Sequence, residues 1–214
     1  MEIHAPDRPV HGWRDFVLHI AIVTIGILIA LGLDGLREHF HDQHLVRDAR
    51  ENIRAEMDGN LSHSMRECGQ VNEVLNNLNP LVTNLAGAAQ DPERIPAALA
   101  KTENPYYFFS ATSWQAALST GALAHMKTDE VSAYADAAEV TRIYTTLQQQ
   151  AVTAEARTKA FFAANPHPSR EALPQGLEQL AEFAHMEQML VNVCPQMQRQ
   201  VRRAIAASDG KSQP

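Results

Sequence analysis

The chain has 214 residues, 45% of them hydrophobic and 20% charged, with Lys+Arg 18 against Asp+Glu 25. That apolar content excludes a disordered or low-complexity chain and suits one domain of ordinary size plus one extra element. A net charge of -7 argues against a nucleic-acid binder, which normally shows a basic face able to neutralise phosphates, and that class is set aside.

Residues 1–15 form a short amino-terminal segment ahead of Phe16–Leu33 (FVLHIAIVTIGILIALGL), a run without formal charge. At a helical rise of about 1.5 Å per residue the run reaches about 27 Å, close to the hydrocarbon thickness of a bilayer. It reads as a transmembrane helix over 16–33, with Trp13 and Arg14 as interface anchors. A cleaved signal peptide is the competing reading. Its apolar region is typically shorter and ends in small residues at the cleavage site, whereas here Leu33-Asp34-Gly35-Leu36-Arg37 continues the helical pattern. Gly26 and Ala30 form a small-xxx-small pair that would let two membrane helices approach closely, in a homo-oligomer or against a membrane-protein partner. Arg8 and Arg14 on one side and Arg37 and Arg47 on the other give no clear bias, so the basic-residue rule does not set the orientation.

Just past the membrane come Glu38, His39, His41, Asp42 and His44. Glu38, His41 and Asp42 share a helix face, and imidazole and carboxylate at that spacing are candidate ligands for a divalent ion. The same residues also serve as ordinary polar juxtamembrane groups. No repeated Glu-x-x-His pair or H-E-x-x-H motif accompanies them, so no metal or other cofactor is expected.

Residues 34–207 read as an all-α antiparallel bundle that includes the continuation of the membrane helix. Leu45, Ala49, Ile53, Met57, Leu61, Met65, Cys68, Val71, Leu75 and Leu78 recur at a mean step of about 3.67, nearer the straight-helix period than the coiled-coil one. Asn79-Pro80 is expected to end this helix. Asp91-Pro92-Glu93 opens a short helix to about Lys101, and a turn at Asn104-Pro105 leads into Tyr106, Tyr107, Phe108 and Phe109. These rings either fill the end of the bundle core or present a ligand or partner surface. Ser110 or Thr112 caps the next helix, on which Trp114 and Leu118 are expected to dock, and Gly121 stops it. A long helix then runs from Asp129 to about Ala164. The last one starts near Pro174, with Pro195 expected to kink or divide it. Residues 208–214 read as a disordered tail.

Cys68 and Cys194 stand far apart in sequence without a metal-type spacing. In an oxidising compartment they could pair, and in the cytosol they would serve as small buried residues. The chain carries no Gly-rich phosphate loop, no G-x-S-x-G elbow and no kinase-type set, and a non-enzymatic role is expected.

Two stretches carry a resemblance. Gly26-Ile27-Leu28-Ile29-Ala30-Leu31 followed by a long polar helix, and Trp114-Gln115-Ala116-Ala117-Leu118-Ser119-Thr120-Gly121-Ala122-Leu123, a W-x-x-x-L-x-x-G-x-L motif, resemble an uncharacterised family of small bacterial single-pass membrane proteins. The resemblance implies an inner-membrane protein with its amino terminus inside and its helical body in the periplasm, and it brings no activity or catalytic residues. The expected function is a membrane-anchored helical interaction module, as a homo-oligomer or accessory subunit. The alternatives are a ligand-sensing bundle using Tyr106 to Phe109 and Trp114 and signalling through the membrane helix, and a metal-dependent membrane enzyme using His39, His41 and His44.

Overall fold

The computed structural model describes residues 12–103 and 106–208. Most of the amino-terminal segment (1–11), the turn at Asn104-Pro105 and the tail after Ser208 lie outside the described residues. Among the described residues every regular element is helical: α1 (Trp13–Val82), α2 (Leu85–Gln90), α3 (Arg94–Leu99), α4 (Thr112–Thr120), a 3-10 turn (Ala122–His125), α5 (Thr128–Ala164) and α6 (Leu173–Ser208). The chain divides into two units, Met1–Leu45 and Val46–Pro214. Residues 34–45, which the sequence reading groups with the bundle, fall in the first.

In the first unit every described residue up to His41 is exposed. Ile20, Ile22, Val23, Ile25, Ile27, Leu28, Ile29, Leu31 and Leu33 are each between 50% and 63% accessible. This α1 segment is long and apolar enough to cross a membrane. At its start the His19 ring donates to the Asp15 carbonyl at 3.1 Å, which keeps the only titratable side chain of the run tied to its own helix.

In the second unit, α1, α5 and α6 bury a shared core. At one end Val74, Leu78 and Leu81 of α1 meet Ala88, Ile95 and Leu99 of α2 and α3, Ala154 and Phe162 of α5, and Leu180, Phe183 and Ala184 of α6. Each large side chain removed from water there contributes about 2 kcal/mol. Gly176 is required at this end because a Cβ would collide with the rings of Phe161 and Phe162. Cys68 and Cys194 pair as a disulfide joining α1 to α6, with Cα atoms 6.1 Å apart, well inside the range such a bond spans.

Several local expectations need correction. The helix does not stop at Asn79-Pro80 but runs to Val82, since Leu78 and Leu81 are both buried. The Thr83 amide and hydroxyl close on the Asn79 carbonyl at 3.0 and 2.6 Å. Pro195 does not divide α6; it faces solvent, between Cys194 in its disulfide and Met197 in the core. Asp91 ends α2 rather than capping α3, whose cap position is Glu93. The cap position of α4 is Ala111. Leu118 does not dock α4: it is 56% exposed, while Ala117 is buried and Trp114 half-buried. Gly121 does stop the helix, with φ 78 in the left-handed region that favours glycine.

The buried face of α1 also differs from the apolar reading. From Ile53 the core positions are Met57, Asn60, Ser64, Glu67, Val71, Val74, Leu78 and Leu81, with Leu75 buried beside Val74; leaving Leu75 aside, the steps alternate four and three. That is a mean of 3.5, the period of left-handed helix packing. Leu61 and Cys68 are only half-buried and Met65 is exposed. Three polar residues therefore occupy core positions where the sequence offers apolar neighbours one place on.

Near the other end of this face, Arg50 of α1 grips Glu130 in the first turn of α5 through two bonds, Nε to Oε1 at 2.5 Å and Nη2 to Oε2 at 2.8 Å. The Tyr134 hydroxyl donates to the same carboxylate at 2.9 Å. Asp129 and Glu130 also suit the positive end of the α5 dipole. Removing the guanidinium leaves a buried carboxylate short of donors. Arg50→Ala is expected to destabilise the chain by about 2 kcal/mol, read as a lowered midpoint in thermal unfolding followed by circular dichroism.

Candidate functional site

The polar core positions of α1 are explained by what crosses them. Tyr106–Ala111 is a strap without helix or sheet structure of its own, so its backbone groups must find other partners. The Asn60 amide donates to the Ser110 carbonyl at 2.7 Å and accepts from the Ser110 amide at 3.4 Å. Gln148 of α5 donates through Nε2 to the Tyr107 carbonyl and to Glu67 Oε1, both at 2.9 Å. The Tyr107 amide donates to Glu67 Oε2 at 3.3 Å, and Thr145 holds the Phe109 carbonyl at 3.2 Å. Where the strap turns into α4, Glu56 Oε2 accepts from the Thr112 hydroxyl, the Ser113 amide and the Ser113 hydroxyl, each at 2.9 Å. A carboxylate 57 positions away in sequence thus caps that helix.

The aromatic run on this strap divides four ways. Tyr106 turns inward and its hydroxyl donates to Glu187 Oε1 of α6 at 2.6 Å. Tyr107 lies on the surface, stacked on His63 with centroids 3.8 Å apart. Phe108 points outward, 50% exposed, and Phe109 is buried edge-on against Tyr144. Trp114, Leu118 and Gly121 are on α4 or at its end. Gly26 and Ala30 lie in the apolar unit, where a Cβ on Gly26 would meet no neighbour within 4 Å.

Beneath the strap lies a cluster of carboxylates that charge patterning alone does not reveal. Glu67 and Glu187 are 2% and 0% exposed. Burial pushes Glu187 up to about 7, a rise that the Glu155 and Glu67 carboxylates reinforce and the Tyr106 hydrogen bond opposes. Burial raises Glu67 as well, against the bonds from Gln148 and Tyr107. Tyr106 and Tyr144 are held protonated by burial and by these neighbouring carboxylates. Lys159 pairs with Glu155 at 2.7 Å, while the hydrogen bonds that Glu67 and Glu187 receive come from neutral groups. Glu187 Oε2, Gln148 Oε1 and Tyr144 Oη are buried without a partner. Beside the cluster a cavity of about 250 Å³ is lined by His63, Arg66, Glu67, Gln70, Tyr106 and Tyr107.

Glu38, His39, His41, Asp42 and His44 lie in the other unit, where His39 meets Gln43 at 2.8 Å. Among the described residues no group of three or more His, Cys, Asp or Glu is placed to hold a metal ion. Compared with family models, curated proteins and solved structures, the chain matches none.

Proposed function

We propose that the chain is a membrane-anchored, non-enzymatic helical interaction module of the bacterial inner membrane, with Phe16–Leu33 in the bilayer and the Val46–Ser208 bundle in the periplasm. It works through protein contacts, as a homo-oligomer or an accessory subunit. The observation that carries this reading is the α1 segment in which all residues from Phe16 to Leu33 are exposed and none bears a formal charge. An apolar surface of that length is far beyond the isolated patches water-soluble chains carry, and lipid is the solvent that suits it.

The Cys68–Cys194 bond supports the outward side, because such bonds persist in oxidising compartments. Contacts rather than catalysis are favoured by how the buried polar groups are employed: Asn60, Glu67 and Gln148 hold the backbone of the strap. The resemblance carried by Gly26–Leu31 and Trp114–Leu123 agrees with a single-pass architecture. Alkaline carbonate washing of native membranes followed by crosslinking tests the reading. The chain is expected to stay with the membrane and to yield a crosslinked dimer or complex. Release into the wash, or capture of monomer alone, would contradict it.

A further inference from the structure

We propose that the cavity between α1 and the strap is a binding site for a small zwitterion of the free amino-acid type, its ammonium group facing Glu67 and its carboxylate facing Arg66. The inference does not rest on the membrane reading. It starts from the charge distribution. His63, Arg66, Glu67 and Gln70 come from one stretch of α1, and Tyr106 and Tyr107 close the other side. The floor carries Glu67, with Glu187 behind it on the Tyr106 hydroxyl, and both carboxylates are bonded by neutral donors only.

A carboxylate in that setting gains from a cation, since charge-assisted hydrogen bonds are about twice as strong as neutral ones. A plain anion is disfavoured by this acidic floor. A simple amine leaves Arg66 at the wall without use, and a metal ion lacks a ligand set among the described residues. A guest with both charges uses both walls. At about 250 Å³ the cavity is below the usual range for drug-sized ligands, which fixes the guest as a small one.

The test is calorimetric titration of the full chain in detergent micelles with the common amino acids one at a time, then with the methyl ester and the N-acetyl derivative of whichever binds best. One or more amino acids is expected to give saturable heat, and the ester and the N-acetyl derivative are each expected to bind at least about ten-fold more weakly, a loss of about 1.4 kcal/mol. Arg66→Gln, at an exposed position, is expected to weaken binding about ten-fold with its thermal unfolding unchanged. Glu67→Gln is expected to do the same, with helical content as the control for its folding. Three results would each overturn the proposal: no saturable heat with any amino acid up to about 10 mM on a chain that unfolds cooperatively, equal binding of ester or N-acetyl derivative, or unaltered affinity in Arg66→Gln.

Discussion

Replacing Cys68 and Cys194 together by alanine is expected to destabilise the bundle by about 4 to 5 kcal/mol. The bond links residues with a sequence separation of 126. In the chain-entropy account a closed loop of that size restricts the unfolded chain by about 5 kcal/mol. Two circumstances keep most of that contribution. Cys194 is 2% exposed, so it sits in packed surroundings, and the bond joins two long helices, α1 and α6, rather than a mobile loop. For a chain of this size the loss corresponds to a midpoint lower by about 10 °C or more. Thermal unfolding of the full chain, compared with the wild type before and after reduction, checks it. The reduced wild type should fall to the level of the double variant. A wild type indifferent to reductant would show that the bond contributes nothing to the fold.

The second large effect concerns Glu187. Its carboxyl, ordinarily near 4.5, is pushed up to about 7, so the folded chain holds a proton that the unfolded chain releases. By linkage, the stability from that bound proton is fully present below about pH 4.5 and is lost as the pH rises through about 7. The groups facing it are Tyr106 on the strap, Glu67 on α1, and Glu155 and Tyr144 on α5, with Lys159 committed to Glu155. None of them supplies a compensating positive charge. Loss of the proton therefore costs about 3 kcal/mol, and Glu67, raised for the same reason of burial, shifts stability in the same direction.

Glu187→Gln keeps an acceptor for the Tyr106 hydroxyl while removing the ionisation. Relative to the wild type it is expected to gain little at pH 5 and about 3 kcal/mol at pH 8. Denaturant unfolding of both chains across that range checks it, because the difference between them isolates this one group from the other carboxylates. A variant less stable than the wild type at pH 8 would mean that ionised Glu187 strengthens the bundle.

The architecture was legible because its signals are long. The charge-free run, the long stretches that carry α5 and α6 and the glycine at 121 each state a physical requirement over their own span. What escaped the sequence was everything decided by the strap. Hydrophobic periodicity selects Leu61, Met65 and Cys68 on α1. The folded chain instead places Asn60, Ser64 and Glu67 on the core side, since a segment without helix or sheet structure that crosses a helix needs donors and acceptors. A heptad count from Ile53 to Leu81 would have exposed this by landing on polar residues at three consecutive core positions. The Glu56 cap on α4 and the Arg50–Glu130 clamp join positions 57 and 80 apart, and no local pattern announces such partners. The aromatic run Tyr106–Phe109 was visible, but its four separate destinations are set by partners far off in sequence: Glu187 for Tyr106, His63 for Tyr107 and Tyr144 for Phe109.

Pro80 and Pro195 teach a related lesson about strength of signal. Proline removes a backbone donor at a cost of about 3 kcal/mol in a helix interior, yet both sit within helices here. Pro80 falls in a last turn closed by Thr83, and Pro195 is flanked by a disulfide and a core methionine. Tertiary packing outweighs the local preference in each case.

We propose that Phe16–Leu33 anchors a bundle that faces the periplasm. Fusing after Pro214 a reporter enzyme that is active only outside the cytoplasm tests it most directly. Strong reporter activity in intact cells is the expected result. An inactive reporter on a chain that is expressed and membrane-bound would contradict it, placing Cys68 and Cys194 in a reducing compartment and the bundle among cytoplasmic partners.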